Sequence, residues 1–287
     1  MSSDTRQVNL LDRIAEVLAH QVPDLEWQPS RGLVRRGAVR GPLYRIGLGR
    51  RGNFAWFLCH GLTPSDPRRL LEITSGLVGP SRLVQSPHVA VAHLEATWPW
   101  RLSPEGQANL LAADLHLLLG HGNLPATPIV DARMHRPRAT LMPSDGLIEL
   151  PAGKGCWEAR LGRGRTAMQM TFHRPHAQAI SISTFVANWT AESDLEEQAA
   201  AHLATMMNGR LRWVRLVRRD TAINAAITVP EAEFGEQAWA LGRDALAQAT
   251  QSCRAALRLV QTPSVAAEFM RRYPLRTGHI REMSNNA

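Results

Sequence analysis

The stretch PSDPRRLLEITSGLVGPSRLVQSPHVAVAHLEATW, Pro64 to Trp98, decides the reading of the fold. Asp66 is an N-cap residue, Pro67 suits the first helical position, and Leu70, Leu71, Ile73 and Leu77 follow at helical spacing. Gly79-Pro80 ends that helix. Ser81 to Gln85 and His88 to Trp98 then predict a hairpin about Ser86-Pro87, because the second arm places Ala90, Ala92, Leu94, Ala96 and Trp98 on one face. A helix feeding an antiparallel hairpin is α+β chemistry.

Upstream, Val8, Leu11, Ile14, Val17 and Leu18 make an amphipathic helix from Val8 to Ala19. Three segments, Gly32 to Val39, Leu43 to Arg50 and Phe54 to Gly61, are separated by Gly41-Pro42 and Arg51-Gly52-Asn53 and read as a three-stranded meander. Downstream, Ser103-Pro104-Glu105 opens a closing helix that runs to Gly120. Residues 123–150, with prolines at 125, 128, 137 and 143, read as a linker with a short strand at Leu147 to Leu150.

The same order then starts again. Cys156 to Leu161, Thr166 to His173 and Ala177 to Val186 read as strands; Ser193 and Glu196 form a capping box ahead of a helix that stops at Asn208-Gly209. Leu211 to Arg219 and Thr221 to Val229 make a hairpin, and a long helix follows from Phe234 to Val260. The expectation is an α+β chain of two tandem domains, residues 1–122 and 151–273, each a three-stranded meander plus hairpin packed with helices, with a loose tail over 274–287. Equivalent features lie 123 to 130 residues apart.

Composition narrows the classes of function. The chain has 287 residues, of which 44% are apolar, enough for two cores. No apolar run approaches the roughly 20 residues of a membrane span, and the polar start, Met1 to Gln7, is unlike a secretory signal, so a cytoplasmic location is expected. Its net charge of +8 rests on arginine, with Lys154 the single lysine; this suits an acidic partner. Cys59, Cys156 and Cys253 are widely spaced and none belongs to a CxxC or Cys/His pair of zinc-ligand spacing, so neither a disulfide framework nor structural zinc is expected.

No reactive constellation stands out, and no cofactor or metal is expected. His173 and His176 lack a third ligand nearby; Cys59 and His60 are adjacent on a strand and point to opposite faces. Gly47-x-Gly49-x-x-Gly52 continues into strand rather than helix, so it reads as a hairpin turn instead of a dinucleotide loop. Lys154 is not followed by the hydroxyl and helix of a phosphate loop, and no GxSxG element occurs.

The order helix, meander, helix, hairpin, helix resembles the type III secretion chaperone-like fold of the Tir-chaperone family. The residues that carry the likeness are the helix from Val8, the strands ending at Gly61, the helix from Asp66, the hairpin about Ser86-Pro87 and the helix from Ser103; the second half matches from Cys156 to Val260. The resemblance implies a non-enzymatic protein that holds a polypeptide client across sheet and helices, and that pairs with a copy of itself. Here the two copies would make a monomeric pseudo-dimer, unless the chain forms a homodimer. Apolar client contacts are expected at Trp56, Leu94, Trp98 and Trp213. The alternative is RNA or single-stranded nucleic acid held by strand arginines Arg35, Arg36, Arg160, Arg212 and Arg215; a further alternative is an enzyme whose site is assembled from scattered residues.

Overall fold

A computed structural model of the chain describes residues 15–22, 25–28, 32–35, 46–51, 54–62, 66–85, 92–99, 104–119, 147–150, 156–161, 168–176 and 179–275. The architecture is α+β, with two six-stranded antiparallel sheets. Helix α1 covers 15–21, the described end of the helix expected from Val8. The first sheet contains β1 (Leu25–Gln28), β2 (Gly32–Arg35), β3 (Ile46–Arg51), β4 (Phe54–Leu62), β5 (Ser81–Gln85) and β6 (Ala92–Pro99), with α2 (Pro67–Gly76) between β4 and β5 and α3 (Pro104–Leu119) after β6. The second contains β7 (Leu147–Leu150), β8 (Cys156–Leu161), β9 (Met168–His176), β10 (Ala179–Asn188), β11 (Arg215–Arg219) and β12 (Ala222–Pro230). Its helices are α4 (Asp194–Asn208), α5 (Glu236–Leu259) after a short 3-10 turn at Glu231–Glu233, and α6 (Pro263–Arg272).

The strand orders correspond. Read from its β5 edge, the first sheet runs β5-β6-β4-β3-β2-β1, and adding six to every number gives the second, β11-β12-β10-β9-β8-β7. In each sheet the hairpin formed after the middle helix docks its second arm, β6 or β12, beside β4 or β10 and leaves its first arm at the edge. Four strands precede each middle helix, one more than the meander expected in the first half. Leu25–Gln28 pairs with Gly32–Arg35, and four residues are too few for alternation to announce a strand.

Local chemistry explains the helices. Asp66 caps α2 by accepting from the Arg68 N–H at 2.9 Å, ahead of Pro67. Ser193 caps α4 through the Glu196 N–H, while Glu196 reaches back to accept from the Glu192 N–H at 2.8 Å, one residue beyond the usual capping-box partner. The strand expected from Leu211 starts only at Arg215, because Trp213 adopts φ 65, a left-handed conformation incompatible with a ladder. Helix α6 had no counterpart in the sequence reading, although Thr262-Pro263 is a helix-start pair.

The apolar faces of both sheets share one buried cluster. Ala92, Leu94, Ala96 and Trp98 of β6 line the first sheet's inner face together with Leu111, Leu115 and Leu18 from the helices. Phe172, Ile182 and Ile227 line the second, against Trp239, Leu246 and Leu257 of α5; the Phe172 and Trp239 rings are 5.7 Å apart. Among the described residues no helix is long and apolar enough to cross a membrane.

Candidate functional site

The best-defined constellation lies where the halves meet, on the edge strands β5 and β11 and the helices α2 and α4. Helix α2 packs on α4 and on β11, and α4 packs on β5. Each edge strand is therefore covered by the other half's helix, which removes an open edge from each sheet.

Two arginines cross this seam in equivalent ways. Arg82 of β5 donates to the Leu211 carbonyl at 2.7 Å and to Thr97 Oγ1 at 3.0 Å. Arg215 of β11, 133 residues later, donates to the Leu77 carbonyl at 2.8 Å and to Thr228 Oγ1 at 3.4 Å. Leu77 and Leu211 are 134 residues apart and Thr97 and Thr228 are 131 apart, so each guanidinium binds the carbonyl just past the opposite half's middle helix and a threonine on its own neighbouring strand. Residue i of one half meets residue j of the other, and j's equivalent meets i's: this is the signature of a two-fold contact. A second equivalence sits beside it. Thr74 Oγ1 of α2 accepts from the Leu83 N–H at 2.9 Å, and Asn208 Oδ1 of α4 accepts from the Leu216 N–H at 2.6 Å.

Burial gives these bonds weight. Arg82 is 0% and Arg215 4% exposed. Burial pushes both guanidinium pKa values down, Arg215 to about 10, opposed by Glu95 for Arg82 and by Asp114 for Arg215. Glu95 lies 3.3 Å from Arg82. Asp114 of α3 uses one oxygen to accept from the Val78 and Gly79 N–H groups, at 2.9 and 2.7 Å, and the other from the Ser81 N–H at 3.0 Å, so it shapes the turn from α2 into β5. Burial pushes the Asp114 carboxyl up, against the pull of Arg215 and these donors. At this turn a Cβ on Gly79 would stand 2.4 Å from the Leu110 carbonyl, so only glycine fits. The second half solves the same corner with Trp213, whose N–H donates to Thr97 Oγ1 at 2.6 Å and whose indole donates to the Thr228 carbonyl at 3.4 Å.

At the solvent end of the seam, Arg68 bridges Asp66 and Asp194, Arg218 lies 3.6 Å from Glu197 and stacks 4.3 Å from the Trp189 ring centroid, and its N–H donates to Ser75 Oγ. On the same face of β11 as Arg215, Arg219 Nη2 donates to His173 Nε2 at 2.6 Å. A guanidinium can only donate, so that ring nitrogen carries no proton. Burial first, then Arg219 and Arg215, lowers the His173 pKa to about 3.

The structure redistributes the residues singled out in the sequence. Leu94, Trp98 and Trp213, expected on a client-binding surface, are at most 1% exposed and belong to the core. The alternation that identified β6 also turned its apolar face inward, and Trp213 is enclosed by the seam. Arg215, expected to contact a polyanion, is buried and bonded to carbonyls. Arg212 is exposed. Trp56, Arg35 and Arg160 lie on β4, β2 and β8, with side chains outside the described set; Arg36 lies outside the described residues. Gly47 and Gly49 lie on β3, which pairs antiparallel with β4, Arg51 opposite Phe54; Gly52 lies outside the described residues. Cys253 is buried in α5 and its thiol is pushed up to about 11, the behaviour of a core residue. No group of three or more potential metal ligands occurs among the described residues.

The sequence reading missed Arg82, Asp114 and Thr97. One signal was present: Arg82 is the single charge in Ser81 to Gln85, a strand otherwise suited to burial, as Asp114 is in the apolar run from Leu110 to Leu119. Comparison with family models, curated proteins and solved structures finds no match to this chain.

Proposed function

We propose that this chain is a non-enzymatic, chaperone-like polypeptide-binding protein working in the cytoplasm, in which two copies of one sheet-and-helix unit are joined as an intramolecular pseudo-dimer. The observation that carries the reading is the reciprocal pair Arg82 to Leu211 and Arg215 to Leu77 between sheets of matching strand order. The resemblance to the secretion-chaperone class implies a paired unit that holds an extended client segment across sheet and helices. With Leu94, Trp98 and Trp213 in the core, the client surface moves to the end of β10 in the second sheet, around Phe185. There Phe185 is 37% exposed and pairs with Asn224 across the β10–β12 ladder, two residues along from Ser183, which pairs with the partly buried Thr171 of β9.

A nucleic-acid reading has weaker support. Arg215 is inside, and Arg68, Arg69 and Arg218 at the seam each have an acidic partner. Aggregation of a chemically unfolded model protein, followed by light scattering with and without ribonuclease, tests the proposal. Suppression at near-stoichiometric ratio that survives ribonuclease, and that Phe185→Ser reduces at least threefold, supports it. Absence of suppression, or binding confined to RNA, overturns it.

A further inference from the structure

Helix α6 breaks the correspondence between the halves, since no described element of the first half occupies the equivalent place. It packs on α4 through a small satellite cluster of Ala199, Ala200, Val260 and Ala266, with Leu203, Phe269 and Met270 partly buried around it. Within α6 only Ala266 is fully buried. The elbow that precedes it is pinned. Gln261 accepts from the Thr190 N–H at 2.6 Å and donates to the Asn188 and Leu257 carbonyls at 3.0 and 2.7 Å. Beyond that elbow α6 is held by its contact with α4, so a helix of ten residues hangs from a fixed point on a shallow apolar patch.

Beneath it sits His202 of α4, 1% exposed, its ring edge-on to Phe269 with centroids 5.6 Å apart; Phe269 in turn meets Tyr273 at 5.2 Å. Neither ring nitrogen meets a partner at full hydrogen-bond geometry, and the Tyr273 backbone is the one polar group close enough to favour the charged ring. Such a ring is tolerated neutral, whereas a charge there would be buried with only the Tyr273 backbone to offset the loss of water. The charged groups on the elements around α4 are engaged elsewhere or face solvent. On α6, Glu268 binds Arg271 and Arg272; on α2, Arg68 pairs with Asp66 and Asp194, and Arg69 with Glu72. On β5, Arg82 faces Glu95; on β11, Arg215 binds carbonyls, Arg218 lies near Glu197 and Arg219 binds His173. On α5, Arg254 donates to the Val186 carbonyl and Arg258 is exposed. On α4 itself Glu196 caps the helix.

We propose that α6 is an acid-released strap on α4, with His202 as the group whose protonation frees it. Burial lowers the His202 pKa, and the nearby Tyr273 backbone, which favours the charged ring, does not outweigh it. Once α6 lifts, the ring regains water and titrates near its ordinary value of about 6.5. The lifted state therefore binds the proton and is favoured as pH falls below that value. Release uncovers the Ala199, Ala200 and Leu203 face of α4 as an apolar surface. The strap requires nothing of the client reading, since it operates in the protein alone.

Hydrogen exchange of the full chain at pH 7.5 and pH 5.0, corrected for intrinsic exchange, reads the opening of residues 263–272 directly. With the docked ring unprotonated, the opening constant rises by up to about 30-fold at pH 5.0. An increase of at least threefold confined to α6, with β10 and β12 unchanged, is the expected result, and His202→Gln or His202→Leu, whichever folds, abolishes the pH response. An α6 equally protected at both pH values overturns the proposal. So does exchange that rises in the sheets together with α6, or a pH response that persists in the folded variant.

Discussion

At the residue scale, Arg82 and Arg215 are the side chains on which the two halves depend. Truncating Arg215 to alanine leaves the Leu77 and Ser81 carbonyls without their donor in a dry setting, which costs about 2–4 kcal/mol, measured as a lower urea midpoint. Arg215→Lys recovers less than half of that, because a single ammonium cannot reach both carbonyls and Thr228 with the spread of a planar guanidinium. Arg82→Ala has a loss of the same order, since its bonds are equivalent. His173 makes a pH prediction. Its folded pKa lies near 3, below the ordinary value of 6.5, so the unfolded chain binds the proton first; stability is complete above pH 6.5 and falls as pH drops toward 3. The slope is at most about 1.4 kcal/mol per pH unit and is reduced by solvent, because His173 is partly exposed. Thermal melts of wild type and His173→Gln between pH 7 and 4 check this: the variant has the shallower decline. Neither arginine was legible as a seam residue. A strand's alternation says which face a side chain takes, and not whether solvent or another helix lies over that face.

At the scale of elements, the helices were legible because their signals are local. Asp66-Pro67, Ser193 with Glu196, and Ser103-Pro104 each start a helix within a residue of the expected place. Ser193→Ala removes an acceptor for the Glu196 N–H and lowers stability by about 1 kcal/mol in the same urea titration; a loss below about 0.3 kcal/mol would show that the Glu196 to Glu192 bond suffices as a cap. Elements set by partners were less legible. β1 is too short to carry a period, and β11 starts four residues late because Trp213 is held in a left-handed turn by Thr97 of the other half. α6 is a ten-residue helix whose burial depends on α4, and its apolar positions gain meaning only when α4 is beside it.

At the scale of the molecule, the seam predicts how the chain behaves when cut. A protease site introduced between Gly120 and Asp145 and then cleaved leaves two fragments that co-migrate in gel filtration, because α2, α4, β5 and β11 hold them without the connecting chain. In the Arg82→Ala, Arg215→Ala double variant the fragments separate. Separation of the nicked wild type would mean that the seam is too weak to act as a dimer contact. The sequence by itself determined the α+β class, the order of most elements and the caps, because propensity, alternation and turn chemistry act over a few neighbours. Only the tertiary structure decided which apolar faces are core, that the two edge strands are each covered by the opposite helix, and that arginines 133 residues apart do the same work. Those are contacts between residues far apart in the chain, where burial and the need to satisfy every buried donor and carbonyl set the outcome.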